Sequence, residues 1–141
     1  METQFTNSYK KMQVETADPL TLIIMLYDKV IILLEKAKKD ITEKKYEEKN
    51  IALNKASDIL FELAATLDRD NGREIAVSLA GLYLYIIQEI TDANVNLNTK
   101  ALDNAKRIMS ELRESWSGIR NSQNTLSSKA DTVTTDINLS G

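Results

Sequence analysis

An all-α chain folded as an antiparallel up-down four-helix bundle is what this sequence predicts, and three observations carry the prediction. Helix breakers are scarce, with one Pro and four Gly in 141 residues, so few positions force a helix to stop. Apolar residues recur at spacings of three and four through four long segments, the period of an amphipathic helix. The segments are joined by connections of only a few residues, and short connections force neighbouring helices antiparallel.

The first helix is expected over residues 19–40. Asp18 is a good N-cap, and Pro19 fits the first helical position, where its missing N–H costs nothing. Residues 41–44 make a short connection. The second helix covers roughly 45–67, with Ala52, Ala56, Ile59, Leu60, Leu63, Ala64 and Leu67 on one face. Asp68-Arg69-Asp70-Asn71-Gly72 combines cap and turn residues, so the third helix is expected from Arg73 to Val95. Asn98 or Thr99 can cap a fourth helix, expected to end near Ser117, before a C-cap at Gly118. The organisation is then an N-terminal arm (1–18), a bundle (19–118) and a tail (119–141). The tail is rich in Ser, Thr and Asn and is expected to be mobile.

The helices differ in how much of their circumference is apolar. In the fourth, Ala101, Leu102, Ala105, Ile108, Met109, Leu112, Trp116 and Ile119 fall within an arc of roughly 120° at 100° per residue. The first helix begins PLTLIIMLYDKVIILL, twelve of whose sixteen residues are Leu, Ile, Val, Met or Tyr, and its apolar arc spans roughly 200°. On the third, Ile75, Leu79, Leu82, Tyr83, Ile86, Ile87 and Ile90 form one face, and Val77, Leu84 and Val95 form a second ridge. Every helix of a four-helix bundle borders solvent, so the surplus is expected to be a partner surface. On the first helix Leu22, Leu26, Val30 and Leu33 are expected to face the core. Leu20, Ile24, Tyr27 and Ile31 are expected to form the floor of a groove that suits an amphipathic helix or an extended apolar peptide.

Composition excludes much else. With no Cys and no His, disulfides, thiolate metal sites and the commonest general base are unavailable. No cofactor or metal is expected. No Gly-rich phosphate loop or nucleophile elbow occurs, and pairs such as Glu89/Asp92 and Glu111/Glu114 read as solvated faces. Eighteen basic against 21 acidic residues give no attraction to nucleic acid or anionic lipid. Lys36, Lys38, Lys39, Lys44, Lys45 and Lys49 cluster at the corner between the first two helices, but Asp40, Glu43, Glu47 and Glu48 interleave. Those near the end of the first helix suit its dipole. The run Leu20–Leu34 is interrupted by Asp28 and Lys29 and falls short of the about 20 residues of a membrane span. The polar N-terminus lacks the apolar core of a secretory signal, so a cytoplasmic location is expected. A binding protein with no reaction to perform fits these exclusions.

Four stretches in register carry a family resemblance. They are Ser8-Tyr9-Lys10 with Gln13-Val14-Glu15-Thr16-Ala17, Asp18-Pro19 and Leu22-Ile23-Ile24-Met25-Leu26-Tyr27-Asp28; Ala56-Ser57-Asp58-Ile59-Leu60 through Leu67-Asp68; Gly72 with Glu74-Ile75-Ala76, Leu79 and Leu82-Tyr83; and Ala93-Asn94 with Leu112-Arg113 and Trp116. Together, over residues 5–118, the chain resembles the flagellar secretion chaperone FliS family. Asp18 stands where the family often has Ser, and Lys29 where Gly is frequent; the tail is not covered. The resemblance implies a cytoplasmic, non-enzymatic chaperone for the C-terminal segment of flagellin. It would block premature polymerisation and keep the client competent for the flagellar type III export apparatus; that apparatus and other regulators of flagellar assembly are further candidate partners. It also implies that Tyr9 and its neighbours Met12, Gln13 and Val14 lie near the client. The alternative reading of the same wide stripes is a structural or regulatory adaptor that forms a stable homodimer.

Overall fold

The computed structural model describes residues 18–140, with side chains for 18–68 and 70–123. Four α-helices follow one another: α1 (Pro19–Thr42), α2 (Tyr46–Ala65), α3 (Arg69–Asn96) and α4 (Thr99–Ser140), with no strand among the described residues. The chain divides into a unit Met25–Leu112, which holds parts of all four helices, and a second unit of Met1–Ile24 with Arg113–Gly141.

The helix starts follow from their caps. Asp18 accepts the Thr21 N–H through Oδ1 and the Thr21 hydroxyl through Oδ2, both at 2.9 Å. Asp68 accepts the N–H groups of Asp70 and Asn71 at 3.2 and 3.1 Å. Asn98 accepts those of Lys100 and Ala101 at 3.1 and 3.3 Å. Each side chain satisfies amides that the first helical turn leaves without partners. These bonds favour the ionised carboxylate, so the backbone bond from Thr21 holds Asp18 below the ordinary Asp range. The Asn71 side-chain bond does the same for Asp68.

α1 ends where Lys44 N–H bonds Ile41 O (3.1 Å) and Lys45 N–H bonds Asp40 O (2.7 Å), with Lys44 left-handed at φ 60°. This is the Schellman arrangement with lysine at the position that favours glycine.

Two boundaries depart from the sequence expectation. α3 starts at Arg69 rather than Arg73, because Asp68 supplies a cap four residues earlier; Arg73 instead marks an internal kink, with φ 17° and ψ −94°. α4 continues past Gly118 to Ser140, so the expected C-cap there is corrected. No glycine of the described residues has a positive φ, and glycine with helical dihedrals need not end a helix.

The core of the 25–112 unit takes Tyr27, Val30, Leu33, Leu34 and Ala37 from α1 and Ala52, Leu53, Ala56, Leu60 and Leu63 from α2. α3 adds Ala76, Ala80, Tyr83, Ile86, Ile90 and Ala93, and α4 adds Ala101, Leu102, Ala105 and Met109. Each large apolar side chain buried this way contributes about 1.5–3 kcal/mol. Tyr27 and Tyr83 meet edge to face, ring centroids 6.3 Å apart, with their hydroxyls 2.5 Å apart. Burial pushes the Tyr83 hydroxyl above the ordinary tyrosine range, the bond to Tyr27 acting the other way.

Polar groups gather towards the end of this unit where α1 and α3 finish and α2 and α4 begin. Lys49, one of the lysines at the corner between the first two helices, is buried, and its Nζ donates to Asn94 O at 2.9 Å in the last turn of α3. Asp40, one of the acids interleaved with those lysines, is also buried and is paired with Lys36 at 2.7 Å. Lys38–Asp103 and Lys106–Glu35, at 2.8 and 2.9 Å, join α1 to α4; being exposed, each contributes little, within about 1 kcal/mol.

In the other unit, Arg120 reaches the Thr21 hydroxyl at 3.5 Å, and its positive charge adds to the lowering of Asp18.

Candidate functional site

Fourteen consecutive residues of α3, IAVSLAGLYLYIIQ at 75–88, carry no charge. A helix that buried them all would need neighbours on every side, and α3 lacks these. Its core stripe is Ala76, Ala80, Tyr83, Ile86, Ile90 and Ala93. On the opposite side Val77, Leu84 and Val95 remain 63%, 51% and 73% exposed. At 100° per residue these three project within roughly 20° of one another, and Gly81 and Gln88, both exposed, sit between them. A hollow lined by Arg73, Glu74, Val77 and Ser78 borders the N-terminal end of this ridge. The neighbouring polar groups are engaged elsewhere. Asn104 donates to Glu89 at 3.0 Å and to the Tyr85 hydroxyl at 3.1 Å, while Asp92 accepts from Asn96 and Asn98 at 2.6 and 2.8 Å. Those bonds, the one from Asn96 foremost, hold Asp92 below the usual carboxylate range. The ridge therefore offers apolar contact area and no reactive group.

The residues singled out from the sequence are placed unevenly. Val77 and Leu84 are on the exposed ridge, as expected. Ile31 and Leu20 are half-buried. Ile24 and Tyr27 are buried, which corrects their placement on a groove floor; Tyr27 belongs to the interior, locked against Tyr83. Of the arc expected to face the core, Val30 and Leu33 do so, whereas Leu22 and Leu26 are half-buried. The stripe of α1 is rotated towards Tyr27. Ile75, read as core, is 72% exposed, two residues past the kink at Arg73. Tyr9, Met12, Gln13 and Val14 lie outside the described residues.

Gly81 is the residue that the sequence reading passed over. Its signal was available, since it lies at the centre of the uncharged run with ridge residues four before and three after it.

A concave surface elsewhere has a different character. A groove between α1 and α4 is lined by Glu35, Lys38, Asp103 and Lys106 among others, and these four form the two ion pairs already described. Among the described residues no group of three or more carboxylates could hold a metal ion. Residues 70–96 of α3 are long and apolar enough to cross a membrane by length and composition. One side of that helix nonetheless packs in the bundle, and Lys49 bonds its last turn.

Known proteins resemble the chain over most of its length. A crystal structure of a flagellar chaperone from bacteria matches with a TM-score of 0.71 at 24% identity, over 86% of this chain and 99% of that one, which establishes the four-helix fold. The flagellar secretion chaperone FliSB of Pseudomonas aeruginosa is 33% identical over 107 residues, 76% of this chain and 85% of the relative. Flagellar secretion chaperones FliS of Campylobacter jejuni and Salmonella typhimurium are 30% and 32% identical over 117 residues each. They cover 83% and 79% of this chain, and 91% and 87% of their own lengths. The profile described as flagellar protein FliS matches residues 1–123. The chain belongs to the flagellar protein FliS family, whose members are flagellar secretion chaperones and not enzymes.

Proposed function

We propose that this chain works in the cytoplasm, binding the C-terminal segment of flagellin, preventing its premature polymerisation and keeping it competent for flagellar type III secretion. The observation that carries this reading is the uncharged ridge of α3, with Val77, Leu84 and Val95 exposed. Exposed apolar side chains aligned along several turns suit a partner that brings its own apolar stripe. A client segment that is disordered when free loses conformational entropy on binding, so it can cover a wide surface and still be released for export. In this reading Val77 and Leu84 are the principal contacts from the bundle, with Ile31 beside the core. Leu20 and the arm residues Tyr9, Met12, Gln13 and Val14 are further candidate contacts. The export apparatus and other regulators of flagellar assembly are the expected additional partners.

A pull-down with the C-terminal segment of the cognate flagellin tests the reading, followed by amide exchange on the complex. Capture with new protection in α3 supports it. Failure to capture the segment at micromolar concentration contradicts it.

A further inference from the structure

One apolar seam of α4 outlasts the bundle that covers it. Apolar residues alternate at spacings of four and three through Ala105, Met109, Leu112, Trp116 and Ile119. Ala105 and Met109 are fully buried, Leu112 and Trp116 are half-buried, and Ile119 is 45% exposed. The helix then continues as far as Ser140. After one polar step, Gln123, the same alternation resumes with Leu126, Ala130, Val133 and Ile137. A strict heptad seam of this kind suits a second helix lying alongside, whereas an extended peptide has a different period.

α1 carries the matching seam. Read backwards, Ala37, Leu33, Val30, Leu26 and Ile23 alternate at the same spacings, and the first three are buried. In the 25–112 unit the two helices run antiparallel, Lys38 pairing with Asp103 and Glu35 with Lys106. In that register each backward step along α1 matches a forward step along α4. α1 begins at Pro19, whereas α4, with 42 residues against 24, is about 27 Å longer. In the other unit, Arg120 of α4 reaches Thr21, close to the start of α1. The segment before Pro19 carries the heptad on, at Thr16, Met12, Tyr9 and Phe5. Counted back from Ile23 opposite Ile119, Pro19 takes the place level with Gln123. Thr16, Met12, Tyr9 and Phe5 then fall level with Leu126, Ala130, Val133 and Ile137 in turn. We propose that residues 5–16 form a helix that packs antiparallel along residues 126–137 of α4. Asp18 caps α1, and Pro19 has no N–H to donate to a preceding turn, so this helix is separate from α1 and ends before Asp18. The seam is thus covered by the chain's own N-terminal segment. That segment is tethered where the cover of α1 runs out, and a tethered partner binds at high effective concentration. Tyr9 and Met12, candidate client contacts, then reach a client only by leaving the seam.

The chain has no cysteine, so engineered pairs report the register directly in the full-length protein, with no flagellin present. The result therefore does not depend on the client reading. Tyr9→Cys with Val133→Cys should oxidise to an intramolecular disulfide, because residues facing across a helix pair come within disulfide reach. Tyr9→Cys with Leu126→Cys, displaced by two turns or about 10 Å along the helix, should stay reduced over the same time. Mass measurement separates links within one chain from links between chains. Amide exchange on the wild type should show protection of residues 5–16. Val133→Asp/Ile137→Asp should lose that protection while the 25–112 unit keeps its own. Equal oxidation of both cysteine pairs overturns the proposal, and so does the absence of an intramolecular link in the 9/133 pair. Wild-type amides at 5–16 that exchange as fast as those of an unfolded chain overturn it as well.

Discussion

α1 and α3 carry the same signal in the sequence, an apolar arc wider than a bundle helix needs, and the fold treats them differently. In α1 most of the surplus is absorbed. Ile24, Tyr27, Val30, Leu33, Leu34 and Ala37 are buried, Leu22, Ile23, Met25, Leu26 and Ile31 are half-buried, and Ile32 alone among its large apolar residues is mostly exposed. In α3 the surplus stays outside, at Val77, Leu84 and Val95. Arc width therefore identifies a helix with more apolar surface than a simple stripe, but not where that surface goes. The distribution of charge separates the two cases. α1 is interrupted by Asp28 and Lys29, whereas α3 has none from 75 to 88. Apolar positions that a fold absorbs contribute to its stability. Those it leaves exposed are available for function, and substitutions can tell the two kinds apart.

The largest contrast should come from the buried side. Tyr27→Ala removes a ring from the interior and is expected to cost about 3–5 kcal/mol, measured by urea denaturation. Leu84→Ser on α3 should change stability by no more than about 0.5 kcal/mol. Similar costs for the two would erase the comparison. A finer cut is Tyr27→Phe, which keeps the ring but takes the hydroxyl partner from buried Tyr83. A loss of about 1–3 kcal/mol is expected, and adding Tyr83→Phe should recover part of it in a double-mutant cycle. Smaller again, and of opposite sign, is Lys44→Gly. Glycine adopts the left-handed Schellman position without strain, so a gain of about 0.5–1 kcal/mol is expected in thermal unfolding.

The pH response of the helix caps should be more modest, because Asp18 and Asp68 are exposed. Both carboxyls are held below their unfolded value of 3.8. Their stabilisation is therefore present above that pH and fades as the pH falls through the lower folded value. Urea midpoints should drop in that window, and Asp68→Asn, which keeps an acceptor without the charge, should flatten the drop. A midpoint independent of pH between 5 and 2 would remove the cap carboxylates from the account.

How far the sequence reveals the protein follows the same division between local and tertiary causes. Caps are local, so Asp18, Asp68 and Asn98 mark the helix starts well. The run from Arg69 to Gly72 was read as a break because it is dense in turn residues, yet a cap at Asp68 lets the first turn form before the kink at Arg73. Gly118 was read as a stop because glycine often ends helices, but nothing obliges it to do so, and α4 passes through it. The burial of Lys49 and Asp40 was not legible in the charge pattern, because it depends on how the helices pack. The Asn94 carbonyl reaches Lys49 once α2 packs on α3, and Asp40 is enclosed with Lys36 beside it. Tyr27 was assigned to the wrong edge of the α1 arc because its counterpart, Tyr83, is 56 residues away in sequence. The exposed ridge of α3 was legible because a charge-free solvent face is a property of the helix itself.

Isothermal titration of the flagellin C-terminal segment into the wild-type chain and into a Val77→Asp/Leu84→Asp variant tests the central claim most directly. Binding to the wild type, weakened at least about tenfold in the variant with its denaturation midpoint unchanged, is the result predicted. A variant that binds as tightly as the wild type would show that the α3 ridge is not the client's surface.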